Sequence, residues 1–81
     1  MSLLVDWTIP GSVLSALHKA GDAVSKRDAD VLKRLYVAGI TQAEIARTDG
    51  ISRERVRQLR DRGVRKVMRY LRDAEAGEVA R

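Results

Sequence analysis

The chain has 81 residues, enough for one small domain, and contains no cysteine and one histidine, His18, so a disulfide staple, a thiolate metal site and a multi-histidine zinc site are all excluded. The formal net charge is +5, and it is unevenly placed: residues 1–51 are balanced, residues 52–72 carry nine Lys or Arg against Glu54 and Asp61, and residues 73–81 are net acidic. A cationic excess on one segment favours a polyanion, most commonly nucleic acid, and no apolar run approaches the roughly 18–20 residues of a membrane helix.

Residues 1–9 begin without the basic start of a secretory signal, so a cytoplasmic location is expected. Leu3, Val5, Trp7 and Ile9 alternate, which predicts an extended arm laid against the body in preference to a partner-binding arm. Pro10-Gly11 reads as a break. Ser12 then caps a short helix with Val13, Leu14 and Leu17 as its apolar positions and Gly21 at its end. His18 lies on this helix with no second ligand or nucleophile near it in sequence, and reads as an ordinary surface or boundary residue.

Ser25 opens a second helix, with Asp28 in a capping-box-like relation. Ala29, Val31, Leu32, Leu35, Tyr36 and Ala38 form its stripe, and Gly39 follows its end. Asp28 and Asp30 sit in the first turn, where negative charge suits the helix dipole, and nothing else for an active site accompanies them. Thr41-Gln42-Ala43-Glu44 is a capping box opening a third, short helix with Ile45 and Ala46 facing inward. Arg47 to Gly50 form a turn in which Gly50 is free to take positive φ, and Ser52 caps the last helix.

A short helix, a glycine turn and a second capped helix define a helix-turn-helix. The spacing supports it: Ala46 stands four before Gly50, small where the helices cross, and Ile45, Ile51, Val56 and Leu59 are the buried positions. Asp49 departs, standing where such motifs bury an apolar residue; it either loosens the turn or caps at the surface. Along the last helix Val56, Leu59, Gly63, Val67 and Leu71 continue one stripe, with Tyr70 alongside. Gly63 either permits close approach of another helix or breaks this one near Arg62, since glycine costs about 1 kcal/mol inside a helix. The expected fold is all-α, a small helical bundle containing a helix-turn-helix. Residues 1–24 form an arm and short helix, 25–72 the domain, and 73–81 a fraying tail.

After Ser52, Val56 and Leu59 fall on one side of the helix, Glu54 and Gln58 on the other, and Arg53 and Arg57 along a flank. One face packs while the other presents hydrogen-bonding side chains, as a helix in a DNA groove requires.

From Ser25 to about Arg72 the chain resembles region 4 of bacterial sigma factors, the primary sigma-factor family. The likeness runs through SKRDADVLKRLYVAGITQAEIA and GISRERVRQLRDRGVRKVMRYLR, and is closest from Glu44-Ile45-Ala46 to Gly50 and on to Leu59. The resemblance implies binding to double-stranded promoter DNA, at the −35 element, and docking on the β flap of RNA polymerase. It places Arg53, Glu54, Arg57 and Gln58 at base-reading positions. Arginine can donate twice to guanine, glutamate can accept from cytosine N4, and glutamine can pair with an adenine edge. Thr41 and Ser52, at helix starts, become phosphate contacts, and Arg55, Arg62, Arg65 and Lys66 phosphate or solvent residues.

This sequence departs at Arg60, where the family is usually acidic, and at Gly63, which replaces a helix former. It is too short to hold the other sigma regions, so it cannot act alone as a complete sigma factor. The starting methionine and the unmatched first 24 residues lead us to expect a free-standing accessory regulator, encoded by a phage or other mobile element in a bacterial cell. Dimerisation or help from polymerase would raise its specificity.

Two other readings stay open. A polymerase- or sigma-binding protein would redirect or inhibit transcription through an apolar surface at Leu32, Leu35, Tyr36 and the Trp7 arm, residues that equally suit a small core. A recombinase- or packaging-type protein would share the helix-turn-helix. Catalysis is not expected: there is no histidine pair and no phosphate-cradling glycine loop, Ser12 and Ser25 have cap explanations, and no cofactor or metal is implied.

Overall fold

A computed structural model describes residues 5–79, with side chains through residue 74. It contains helices α1 (Pro10–Ala20), α2 (Lys26–Tyr36), α3 (Gln42–Asp49) and α4 (Arg53–Val79), with a 3₁₀ turn at Gly21–Ala23. No strand occurs among the described residues, so the fold is all-α.

The local signals that start three of these helices act as the sequence predicts. The Ser25 hydroxyl accepts from the Asp28 N–H at 3.2 Å. Thr41 and Glu44 form both halves of the capping box, the Glu44 N–H donating to Thr41 Oγ1 and the Thr41 N–H to Glu44 Oε1. Ser52 Oγ accepts from the Arg55 N–H at 3.0 Å. Ser52→Ala is expected to lower the unfolding free energy by about 1 kcal/mol, the usual worth of a side-chain N-cap, measured by urea titration.

The start of α1 differs. Proline is tolerated at the first helical position, where its missing N–H is not needed, so the helix begins at Pro10 with Ile9 as its N-cap. Ser12 is therefore inside the first turn and caps nothing; its hydroxyl accepts the Asp6 N–H at 2.9 Å instead. The preceding arm also bends. Asp6 Oδ1 accepts from the N–H and hydroxyl of Thr8, and the Ile9 N–H donates to the Asp6 carbonyl. The turn leaves Val5 and Trp7 packed on the body and Ile9 exposed; Leu3 lies outside the described residues. The end of α1 is as expected, with Gly21 at φ +51° donating to the Leu17 carbonyl.

Helix α4 is the spine, about 40 Å long at 1.5 Å per residue. Its first half packs with α2 and α3 around Val31, Ile45, Ala46, Val56 and Leu59. Its second half packs with α1 and α2 around Val13, Leu17, Leu32, Val67 and Leu71. Trp7 closes this second cluster against Tyr36, their ring centroids 4.9 Å apart at 54°. Leu32 is fully buried and Leu35 is half-buried against the first cluster.

Gly63 does not break α4. A Cβ built there would stand 3.0 Å from Leu32 Cδ1 and 3.3 Å from Asp28 Cβ, so the glycine marks the close crossing of α2 and α4. Residues 73–79, read from sequence as a tail, continue the helix to Val79. Alanine and glutamate in that stretch are good helix formers.

Candidate nucleic-acid interface

The turn between α3 and α4 sets the interface. Gly50 adopts the left-handed conformation (φ 70°, ψ 34°), which costs a glycine nothing. Its N–H and that of Ile51 both return to the Ala46 carbonyl. Asp49 does not loosen this turn. It lies on the outer side, where its Oδ1 accepts from Arg34 Nη1 at 2.9 Å, and Arg34 also pairs with Asp30 at 2.8 Å. A link from α2 thus replaces the apolar contact expected at that position.

Val56 and Leu59 are buried on the inner side of α4, and Arg53, Glu54, Arg57 and Gln58 are all exposed on its outer side. Glu54 and Arg57 are already networked, with Asp61 and Arg60 beside them. Arg57 Nε donates to Glu54 Oε1 at 3.1 Å, its Nη2 pairs with Glu54 Oε2, and its Nη1 donates to Asp61 Oδ2 at 2.9 Å. Asp61 also takes both Nε and Nη2 of Arg60. The hydrogen bond from Arg57 holds the Glu54 carboxyl below its ordinary range, and that from Arg60 does the same for Asp61. A lowered carboxyl stays ionised at neutral pH and loses its proton-free partner role only in acid. The network therefore fixes Arg57 along the helix and keeps Glu54 an acceptor.

The predicted phosphate residues fall in different surroundings. Arg55, Arg65 and Lys66 are exposed. The Ser52 hydroxyl accepts from Arg55 and keeps its proton for an outside acceptor. The Thr41 N–H is engaged by Glu44 at 3.2 Å, with the hydroxyl 3.4 Å from the same carboxylate oxygen. Arg62 faces inward in part: its Nε and Nη2 donate to Asp28 Oδ2 and Oδ1, both at 3.1 Å.

The burial of Asp28 is what its first-turn position in the sequence does not show. The residue is fully buried between α2 and α4, and Lys66 Nζ lies 3.8 Å from it. Two signals pointed there: Asp28 precedes Leu32 by four, on the inner stripe of α2, and Gly63 leaves room for it on the facing helix. His18 is exposed, and no group of three or more metal-ligating side chains occurs among the described residues.

A capped helix held by a glycine turn, its inner face buried and its outer face set with arginine, glutamate and glutamine, defines a helix-turn-helix DNA-binding module. The family model described as sigma-70, region 4, matches residues 22–69, and the chain belongs to that family. No curated protein and no solved structure matched the chain. The membership assigns a DNA-binding, transcription-related role and a family that is not enzymatic. No helix among the described residues is long and apolar enough to cross a membrane.

Proposed function

We propose that the protein is a sequence-specific transcription regulator that binds promoter DNA through the first turns of α4 and works with RNA polymerase, in the bacterial cytoplasm. One observation carries the reading: Arg53, Glu54, Arg57 and Gln58 share the exposed face of a helix whose opposite face is buried in the helix-turn-helix core. In this reading those four side chains meet base edges, while Ser52, Thr41, Arg55, Arg65 and Lys66 meet flanking phosphates. A module this small reads few bases, so a second copy or polymerase supplies the remaining specificity.

The β flap is the partner surface that the family membership favours. A purely protein-binding role has less support, because its candidate residues are engaged: Leu32 is buried and Trp7 is packed on Tyr36.

Arg57→Ala is the direct test of base reading. Loss of a two-donor contact is worth about 1–3 kcal/mol at one base position. The change also takes from Glu54 its arginine and leaves Asp61 with Arg60 alone, which adds repulsion on any duplex. The diagnostic quantity is therefore the ratio between the preferred duplex and one changed at a single base pair, measured by anisotropy. Relaxed discrimination at that pair is the expected result; equal losses on both duplexes would make Arg57 a phosphate contact only.

A further inference from the structure

The described residues hold one buried carboxylate, Asp28, and its charge faces cations on α4. Arg62 gives it one edge of the guanidinium, Nε and Nη2, in a two-point clamp. The Arg62 side chain as a whole is about half exposed, at 47%. It opens into a groove of about 190 Å³ lined by Arg62, Arg65, Lys66 and Arg69. Four cations outnumber the buried Asp28 and the neighbouring Asp61, which acts on Arg65, so this groove is net positive.

Its place on the helix matters. At 3.6 residues per turn, these four residues are centred about 100° round α4 from Arg53, Glu54, Arg57 and Gln58. Arg69 lies about 18 Å along the axis from Arg57. Arg62 is only about 7.5 Å along the axis from Arg57, so the set begins beside the first turns and runs past the roughly 12 Å width of a major groove, on the flank of α4 that would face the bordering backbone.

From this geometry we infer that Asp28 is a positioning residue, holding Arg62 so that its free edge, with Arg65, Lys66 and Arg69, seats a phosphodiester of the bound duplex. Arginine has a long, mobile stem, and a fixed carboxylate on one edge removes that freedom before the anion arrives. The other edge of the planar fork still offers donors spaced for phosphate oxygens. Asp28 itself touches no DNA. The inference rests on the DNA-binding reading above and extends it to a second contact that carries no sequence information.

The test uses Asp28→Asn, Arg62→Ala and their combination in the full chain, on the preferred and a random duplex over a series of salt concentrations. Asp28→Asn adds one positive charge, so simple electrostatics makes it bind DNA more tightly. Positioning predicts the opposite: weaker binding by about three- to tenfold on both duplexes alike, with a salt slope shallower by about one. Arg62→Ala should match it, and the double variant should bind no more weakly than Arg62→Ala. Tighter binding by Asp28→Asn, or losses that add in the double variant, would overturn the inference. Circular dichroism checks that each variant is folded.

Titration of the unaltered protein with inorganic tripolyphosphate, followed by the arginine Nε–H signals, keeps the inference testable if the variants unfold. A shift at Arg62 larger than that at Arg53 supports the seat, even if no DNA motif is ever found. An unmoved Arg62 signal rejects the seat, whatever the first turn of α4 binds.

Discussion

Leu32→Ala is expected to lower the unfolding free energy by about 2–5 kcal/mol, the range for emptying a fully buried leucine site. Leu32 is 0% exposed and sits where α2 crosses the second half of α4, against Val67, Leu71 and α1. For so short a chain this corresponds to a fall in melting temperature of roughly 10–30 °C. The neighbouring glycine makes the test sharper. A methyl group at residue 63 would stand 3.0 Å from Leu32 Cδ1, and Leu32 is enclosed and cannot yield. Gly63→Ala alone should therefore destabilise by about 1 kcal/mol, crowding outweighing the gain in helix propensity. With alanine at residue 32 the closer crowding partner is gone and only Asp28 Cβ, at 3.3 Å, remains, so Gly63→Ala should lose most of its cost. Urea denaturation of the four proteins gives a coupling of about 1 kcal/mol if the crossing is as described, and additive effects if it is not.

The second large effect is on binding. Arg53→Glu together with Arg57→Glu should weaken DNA binding by about 100-fold or more at moderate salt, since base donors are lost and four units of charge change at the groove. Both side chains are exposed, so the fold should survive, with a cost of a few tenths of a kcal/mol from placing like charges near Glu54 and Asp61. Lys19→Glu with Lys26→Glu is the matched control: the same charge change, on α1 and at the start of α2. Anisotropy on one duplex should separate the two pairs by at least tenfold. Equal losses would mean that net charge, not the first turn of α4, determines binding.

Much of this was legible in the residues because it is local. The Thr41–Glu44 box, the Ser52 cap and the left-handed Gly50 each depend on neighbours within four positions, and the periodicity of Val56, Leu59, Val67 and Leu71 fixes the inner face of α4. Chain order hid what is not local. Arg34 meets Asp49 and Arg62 meets Asp28 from 15 and 34 residues away, and only the helix crossings bring them together. Ser12 looked like a cap because serine before an apolar run usually is one. Proline two residues earlier had already begun the helix, which left the hydroxyl to hold the Asp6 turn. Asp28 read as a first-turn carboxylate, as it is, but its burial depended on a glycine 35 positions on.

The same division applies to the interface. The exposed placement of Arg53, Glu54, Arg57 and Gln58 follows from helical spacing alone. The tie of Arg57 to both Glu54 and Asp61 follows from i,i+3 and i,i+4 spacing and sets how readily it reaches a base. The orientation of Arg62 does not follow from spacing on its own helix.

Whether the first turns of α4 read DNA sequence is decided by selection of bound duplexes from a random pool, at two salt concentrations and with and without RNA polymerase. One enriched motif is expected with the protein alone at low salt, strengthened by polymerase and lost with Arg53→Glu/Arg57→Glu. No enriched motif in any condition, with the protein retained on polymerase, would contradict sequence reading by α4 and leave the basic helix as a protein-binding surface.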